Sequence, residues 1–127
     1  MNYESTPEFN KDLKKLLKKF RTLEDDIEIA KTNAIELYHE REINNLSVFL
    51  VPGYGTEGVK IFKLKKFSCR ALKGKGVQGG IRIIYAFYPQ KQLVEFIEMY
   101  YKADQTNESQ QRIKDYLKSP RTLPEHS

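Results

Sequence analysis

The chain has 127 residues, of which 39% are hydrophobic and 31% charged, and its 22 Lys and Arg against 17 Asp and Glu give a net charge of +5. That length supports one domain with a real core and leaves two cramped, and the composition excludes wholesale disorder. A single cysteine, Cys69, excludes an internal disulfide and fits a reducing compartment. With no signal-peptide pattern at the start and no apolar run near the ~20 residues that span a bilayer, a cytoplasmic protein is expected.

Residues 2–6 carry a weak signal for a short edge strand. From Pro7 the spacing of Phe9, Leu13, Leu16, Leu17 and Phe20 predicts an amphipathic helix over 7–20, capped by Ser5 or Thr6, with lysines on its other face. A second helix is expected over 22–42, where Leu23, Ile27, Ala30, Ala34, Leu37 and Tyr38 form one stripe behind an acidic first turn. With a residue or two between them, the two should form a hairpin. Leu46–Val51 is expected to pack without joining a sheet, ahead of a loop containing Pro52 and three glycines. Strands follow over 59–71, 80–88 and 93–102, the second with Ile81, Ile83, Tyr85 and Phe87 on one side and Arg82, Ile84, Ala86 and Tyr88 on the other. A terminal helix over 107–118 ends at Ser119-Pro120. The expectation is an α+β domain over 1–118, with an N-terminal helical hairpin on one face of a small antiparallel β-sheet, a C-terminal helix, and a tail over 119–127.

Charge is segregated along the chain. Between Glu57 and Glu95 there is no acidic residue, while Lys60, Lys63, Lys65, Lys66, Arg70, Lys73, Lys75, Arg82 and Lys91 all fall there. At the centre lies Lys73-Gly-Lys-Gly-Val-Gln-Gly-Gly-Ile-Arg82, a glycine-hinged basic loop delivering an arginine on a strand. Lysines of this kind can simply protect sheet edges. Together with Tyr85, Tyr88, Tyr100 and Tyr101 on adjacent strands they also suit single-stranded RNA, held by charge along its backbone and by stacking at ~1–3 kcal/mol per base. Lys63, Lys65, Lys66, Arg70 and Tyr85 are the expected RNA-binding residues.

Other chemistries find less support. G-x-G-x-x-G occurs at Gly53/Gly55/Gly58 and Gly74/Gly76/Gly79, but both copies lead into strands, whereas a dinucleotide site needs a helix there. His39 and His126 with one cysteine give no zinc spacing, so no metal and no cofactor are expected. Glu36 and Glu40 read as a solvated helix face, and Cys69 lacks a histidine base.

The run K-G-K-G-x-x-G-G-x-R-I-I-Y from Lys73, the strand end E-M-Y-Y-K-A-D at Glu98–Asp104 and the helix start E-S-Q-Q-R-I at Glu108–Ile113 resemble the RelE/HigB branch of the RelE/ParE toxin superfamily. The resemblance spans most of 7–118 and is sharpest over 73–118. It implies a toxin of a type II toxin–antitoxin pair, an endoribonuclease that cuts mRNA on the ribosome without metal, with a cognate antitoxin protein as partner. It further implies that Arg82 clamps the scissile phosphate and that Lys73 and Lys75 bind backbone or serve as acid and base. The chain departs from the family pattern after the last strand, where Ala103 and Thr106–Ser109 stand in place of an arginine and a tyrosine; Tyr101 or Lys102 would have to substitute. Two alternatives follow, a non-catalytic RNA- or ribosome-binding relative and a ParE-like inhibitor of DNA gyrase.

Overall fold

The computed structural model describes residues 1–43, 46–65 and 80–118. Thr6 and Pro7 start the first helix for separate reasons. The Thr6 hydroxyl accepts the Phe9 backbone N–H at 3.1 Å, and proline at the first helical position has no amide hydrogen to leave unsatisfied. Helix α1 (Pro7–Leu17) buries Phe9 and Leu16 and keeps Lys11, Lys14 and Lys15 in solvent. Helix α2 (Leu23–Ala30) runs through a π-helical stretch (Lys31–Glu36) into α3 (Leu37–Arg41), which ends at Glu42 in left-handed backbone. The connection between α1 and α2 is Lys18–Thr22, longer than the spacing suggests, because Phe20 leaves the helix and is buried in the core.

Five strands form one sheet in the order β1-β5-β4-β3-β2. They are β1 (Asn2–Ser5), β2 (Val48–Gly55), β3 (Lys60–Leu64), β4 (Ile81–Tyr88) and β5 (Leu93–Tyr101). Four run antiparallel to their neighbours; β1 adds parallel to β5, so the sheet is mixed. The stretch expected to lie off the sheet is instead its edge strand β2. Pro52 is tolerated there because an edge leaves one row of backbone groups unpaired. Gly55 ends the strand at φ +96°, and a Cβ at that position would meet the Val59 carbonyl at 2.5 Å.

Helices cover both faces of the sheet, not one. Alternation sends Phe62, Leu64, Ile81, Ile83, Tyr85, Phe87, Val94, Phe96 and Met99 against the N-terminal helices, while Val59, Ile61, Ile84, Ala86, Tyr88, Ile97 and Tyr100 pack with Ile113 of α4 (Gln110–Lys118). A bulge in β5 keeps the alternation in step: Ile84 pairs with Glu98 and Tyr85 with Phe96, leaving Ile97 extra. The Ser109 hydroxyl caps α4 by accepting the Arg112 N–H at 3.1 Å. Polar contacts then fix α4 to the sheet: the Tyr116 hydroxyl donates to Glu95 at 2.7 Å and shares a short bond with Tyr88, and Arg112 NH1 reaches Asp12 of α1 at 2.6 Å. Among the described residues no helix is long and apolar enough to cross a membrane.

Candidate nucleic-acid interface

The α4-side face of the sheet carries a polar row at one end, and strand register explains each member. Leu64 pairs with Ile83 and Ile81 with Tyr101, so Arg82 alternates to the face opposite the N-terminal helices and stands across from Tyr100. Lys63 points the same way from β3, and Lys65 lies two residues beyond it. Arg82 is half-buried, and its NH1 donates to the Lys65 carbonyl at 3.4 Å. Among the described residues no carboxylate salt-bridges Arg82. The Lys65 ammonium sits 4.7 Å from the centroid of the Phe49 ring, a cation–π contact that holds it at the sheet surface.

Two acidic residues enter this row from outside the one-sign block. Lys63 Nζ lies 2.5 Å from Glu108 Oε1, both side chains 15% exposed, and the Tyr100 hydroxyl donates to the same oxygen at 3.4 Å. Burial alone would raise the Glu108 pKa; the Lys63 hydrogen bond, the residue's own backbone N–H, the Lys63 charge and the Tyr100 hydroxyl outweigh it and hold the carboxyl below its ordinary value. Burial, followed by Glu108 and Glu98, pushes the Tyr100 phenol up to about 12, with Arg82 pulling the other way. The Tyr100 hydroxyl therefore stays protonated at neutral pH and is available as a donor. Glu98 is 2% exposed, and its carboxylate accepts the Ser109 N–H at 2.9 Å and Gln105 Nε2 at 2.8 Å, which anchors the connection carrying Glu108.

The structure unites some of the sequence candidates and separates others. Lys63, Lys65 and Arg82 share one face. Tyr101 does not: it packs on the helical side against Phe20, with centroids 4.9 Å apart, under the Lys19 ammonium. Lys102 is exposed, and its backbone N–H bonds the Gly80 carbonyl at 2.8 Å. Tyr85 is not an RNA-stacking residue, because its side chain is 0% exposed. Its hydroxyl meets His39 Nε2 at 2.8 Å, and the His39 ring stacks on Phe87 at 4.0 Å. Glu36 is likewise engaged, accepting the Tyr3 hydroxyl at 2.8 Å. Lys66, Arg70, Lys73, Lys75 and Cys69 lie outside the described residues; in sequence they follow directly on Lys65 and precede Gly80. Tyr100 was expected as a base-stacking ring and serves here through its hydroxyl, whereas Glu108 is the member that the sequence did not single out. The two-residue spacing of Tyr100 from Glu98 on a strand puts both on one face; Glu108 carried no signal, since its partner Lys63 lies 45 residues away.

No protein-family model matches the chain, and no curated protein matches it either. Among solved structures the chain is similar to the crystal structure of the archaeal RelE–RelB complex from Pyrococcus horikoshii OT3, at 14% identity, covering 80% of this chain and 93% of that one, with a TM-score of 0.46.

Proposed function

We propose that this protein is the toxin of a toxin–antitoxin pair and cuts mRNA on the ribosome by metal-independent attack of the RNA's own 2′-hydroxyl. The observation that carries the reading is Arg82, half-buried on a central strand, with the Lys65 and Lys63 side chains on the same sheet face; in sequence the basic residues 66–79 lie between Lys65 and Gly80. The sequence resemblance of Lys73–Tyr85 and Glu98–Ile113 supports the same assignment and supplies the partner, a cognate antitoxin protein.

In the proposed reaction the 2′-hydroxyl loses its proton to a base as its oxygen bonds to phosphorus, the bond from phosphorus to the 5′-oxygen breaks, and that oxygen takes a proton. The products are a 2′,3′-cyclic phosphate and a free 5′-hydroxyl. Arg82 clamps the non-bridging oxygens through charge-assisted hydrogen bonds. Lys73 and Lys75 supply backbone contacts or proton transfer, a role that requires like-charge crowding to lower a lysine pKa. Lys102 remains the candidate for protonating the leaving oxygen, and Tyr100 rather than Tyr101 is the tyrosine on the Arg82 face.

A second reading, a non-catalytic RNA- or ribosome-binding relative, is favoured by the Lys63–Glu108 pair, which neutralises one cation of the row. Primer extension on cellular mRNA after induced expression tests the choice. Cuts phased with codons in the ribosomal A site support the nuclease; arrested translation with intact mRNA supports the binder; DNA damage with intact mRNA supports a gyrase inhibitor and removes the proposal.

A further inference from the structure

We infer that Lys63 and Tyr100 build an anion seat for a phosphate of single-stranded RNA, and that Glu108 fills this seat in the free protein, so that RNA must displace Glu108 to use it. The identity of the ligand rests on the RNA-binding reading above; the seat itself rests on geometry. One carboxylate oxygen of Glu108 takes the Lys63 ammonium at 2.5 Å and the Tyr100 hydroxyl at 3.4 Å. A non-bridging phosphate oxygen is the same kind of acceptor for the same two donors. Arg82 stands directly across the strands from Tyr100, so the seat continues the row of donors instead of lying apart from it.

The position of Glu108 makes displacement feasible. It is neither on the sheet nor inside α4 but on the connection between them, and its neighbours are fixed without it. Glu98 holds the Ser109 N–H and Gln105, Gln105 also bonds the Asn107 carbonyl, and the Ser109 hydroxyl caps α4. The Glu108 side chain can therefore swing into solvent while α4 stays docked. Paired with the Lys63 ammonium, it is a charged competitor, and only an anion replaces it without leaving that ammonium unpaired in a site 15% exposed.

The test uses the full chain with two probes. The first is a fluorescent single-stranded RNA with methylated 2′-hydroxyls, so that binding is read without cleavage; the second is inorganic phosphate, followed by NMR at the Lys63 side-chain nitrogen. Glu108→Gln is expected to tighten RNA binding about fivefold, which is about 1 kcal/mol, and to steepen the log-salt slope by roughly 0.7, one added single-strand phosphate contact. Adding Lys63→Met to Glu108→Gln should abolish that gain, and inorganic phosphate should perturb Lys63 in Glu108→Gln more strongly than in the wild type. Unchanged or weaker binding of both probes by a folded Glu108→Gln variant overturns the seat and leaves the Lys63–Glu108 pair as a structural pin. A phosphate response at Lys63 with no RNA binding by any form keeps the seat and overturns the RNA reading.

Discussion

Arg82 and Tyr100 stand opposite each other across β4 and β5, and Tyr101, one residue on, faces the other way into the helical side of the sheet. Two adjacent tyrosines thus divide between the two faces of the sheet: Tyr100 is buried on the α4 side with its hydroxyl toward Glu108, and Tyr101 is half-buried against Phe20. Tyr100→Phe should leave the fold intact and weaken RNA binding or cleavage, because it removes only the donor that meets Glu108. Tyr101→Ala should instead cost about 2 kcal/mol of stability through the lost Phe20 contact. Thermal melts alongside RNA binding separate the two, and a Tyr101→Phe variant with lost cleavage but normal stability would reverse the assignment.

Arg82→Ala removes a half-buried guanidinium whose described contact is one long bond to the Lys65 carbonyl. Its stability should change by no more than about 1 kcal/mol. Toxicity on induction should disappear, and affinity for single-stranded RNA should fall about tenfold, the equivalent of one charge-assisted bond of about 1.4 kcal/mol. Growth arrest by a stable Arg82→Ala variant at the wild-type level would exclude Arg82 from the active surface.

Much of this arrangement was legible in the sequence, and the parts that were not share a cause. Strand β4 follows from strict alternation, and α1 and α4 from apolar spacing with a cap, because those patterns are local. Alternation defines two faces without saying which one a helix covers, so Tyr85 and Arg82 looked equally available until Tyr85 proved to be sealed beneath α3 by His39. Strand β2 escaped because Pro52, Gly53 and Gly55 imitate a loop, and only pairing with β3 makes them an edge. The Lys63–Glu108 contact joins residues from opposite ends of a charge asymmetry, so a block that reads as uniformly basic in sequence is partly neutralised in space.

His39 predicts a specific pH dependence. Burial lowers its pKa from 6.5 to about 4, since charging it would put an imidazolium against Phe87 and Phe62. In the unfolded chain the same group protonates near 6.5, so the unfolded state binds the extra proton first. Stability is therefore full above about pH 6.5 and falls as the pH drops toward 4. Denaturant midpoints measured across that window should decline for the wild type and stay flatter for His39→Phe, even though that variant loses the Tyr85 bond and starts lower. An equal decline in both would assign the acid sensitivity to carboxylates such as Glu108, whose lowered pKa contributes stability above its ordinary value and loses it below.

The Asp12–Arg112 pair bears on how the two helical layers are locked through the sheet. Asp12 projects from α1, yet its Oδ2 accepts both Arg112 NH1 of α4 at 2.6 Å and the Met99 backbone N–H of β5 at 3.0 Å. Arg112 NH1 also reaches the Ile97 carbonyl at 3.2 Å, beside the bulge. Removing the carboxylate leaves a guanidinium and a strand N–H without their acceptor, whereas removing both charged partners leaves only the N–H. Asp12→Ala should therefore cost about 2 kcal/mol, and Asp12→Ala with Arg112→Met distinctly less than the sum of the single changes, a coupling readable in a double-mutant cycle. Because Ser109, which caps α4, directly follows Glu108, the Asp12→Ala variant should also loosen the Lys63–Glu108 contact. Strictly additive losses would mean that each residue is held independently and that α4 is docked by its other contacts, Ile113 and Tyr116 among them.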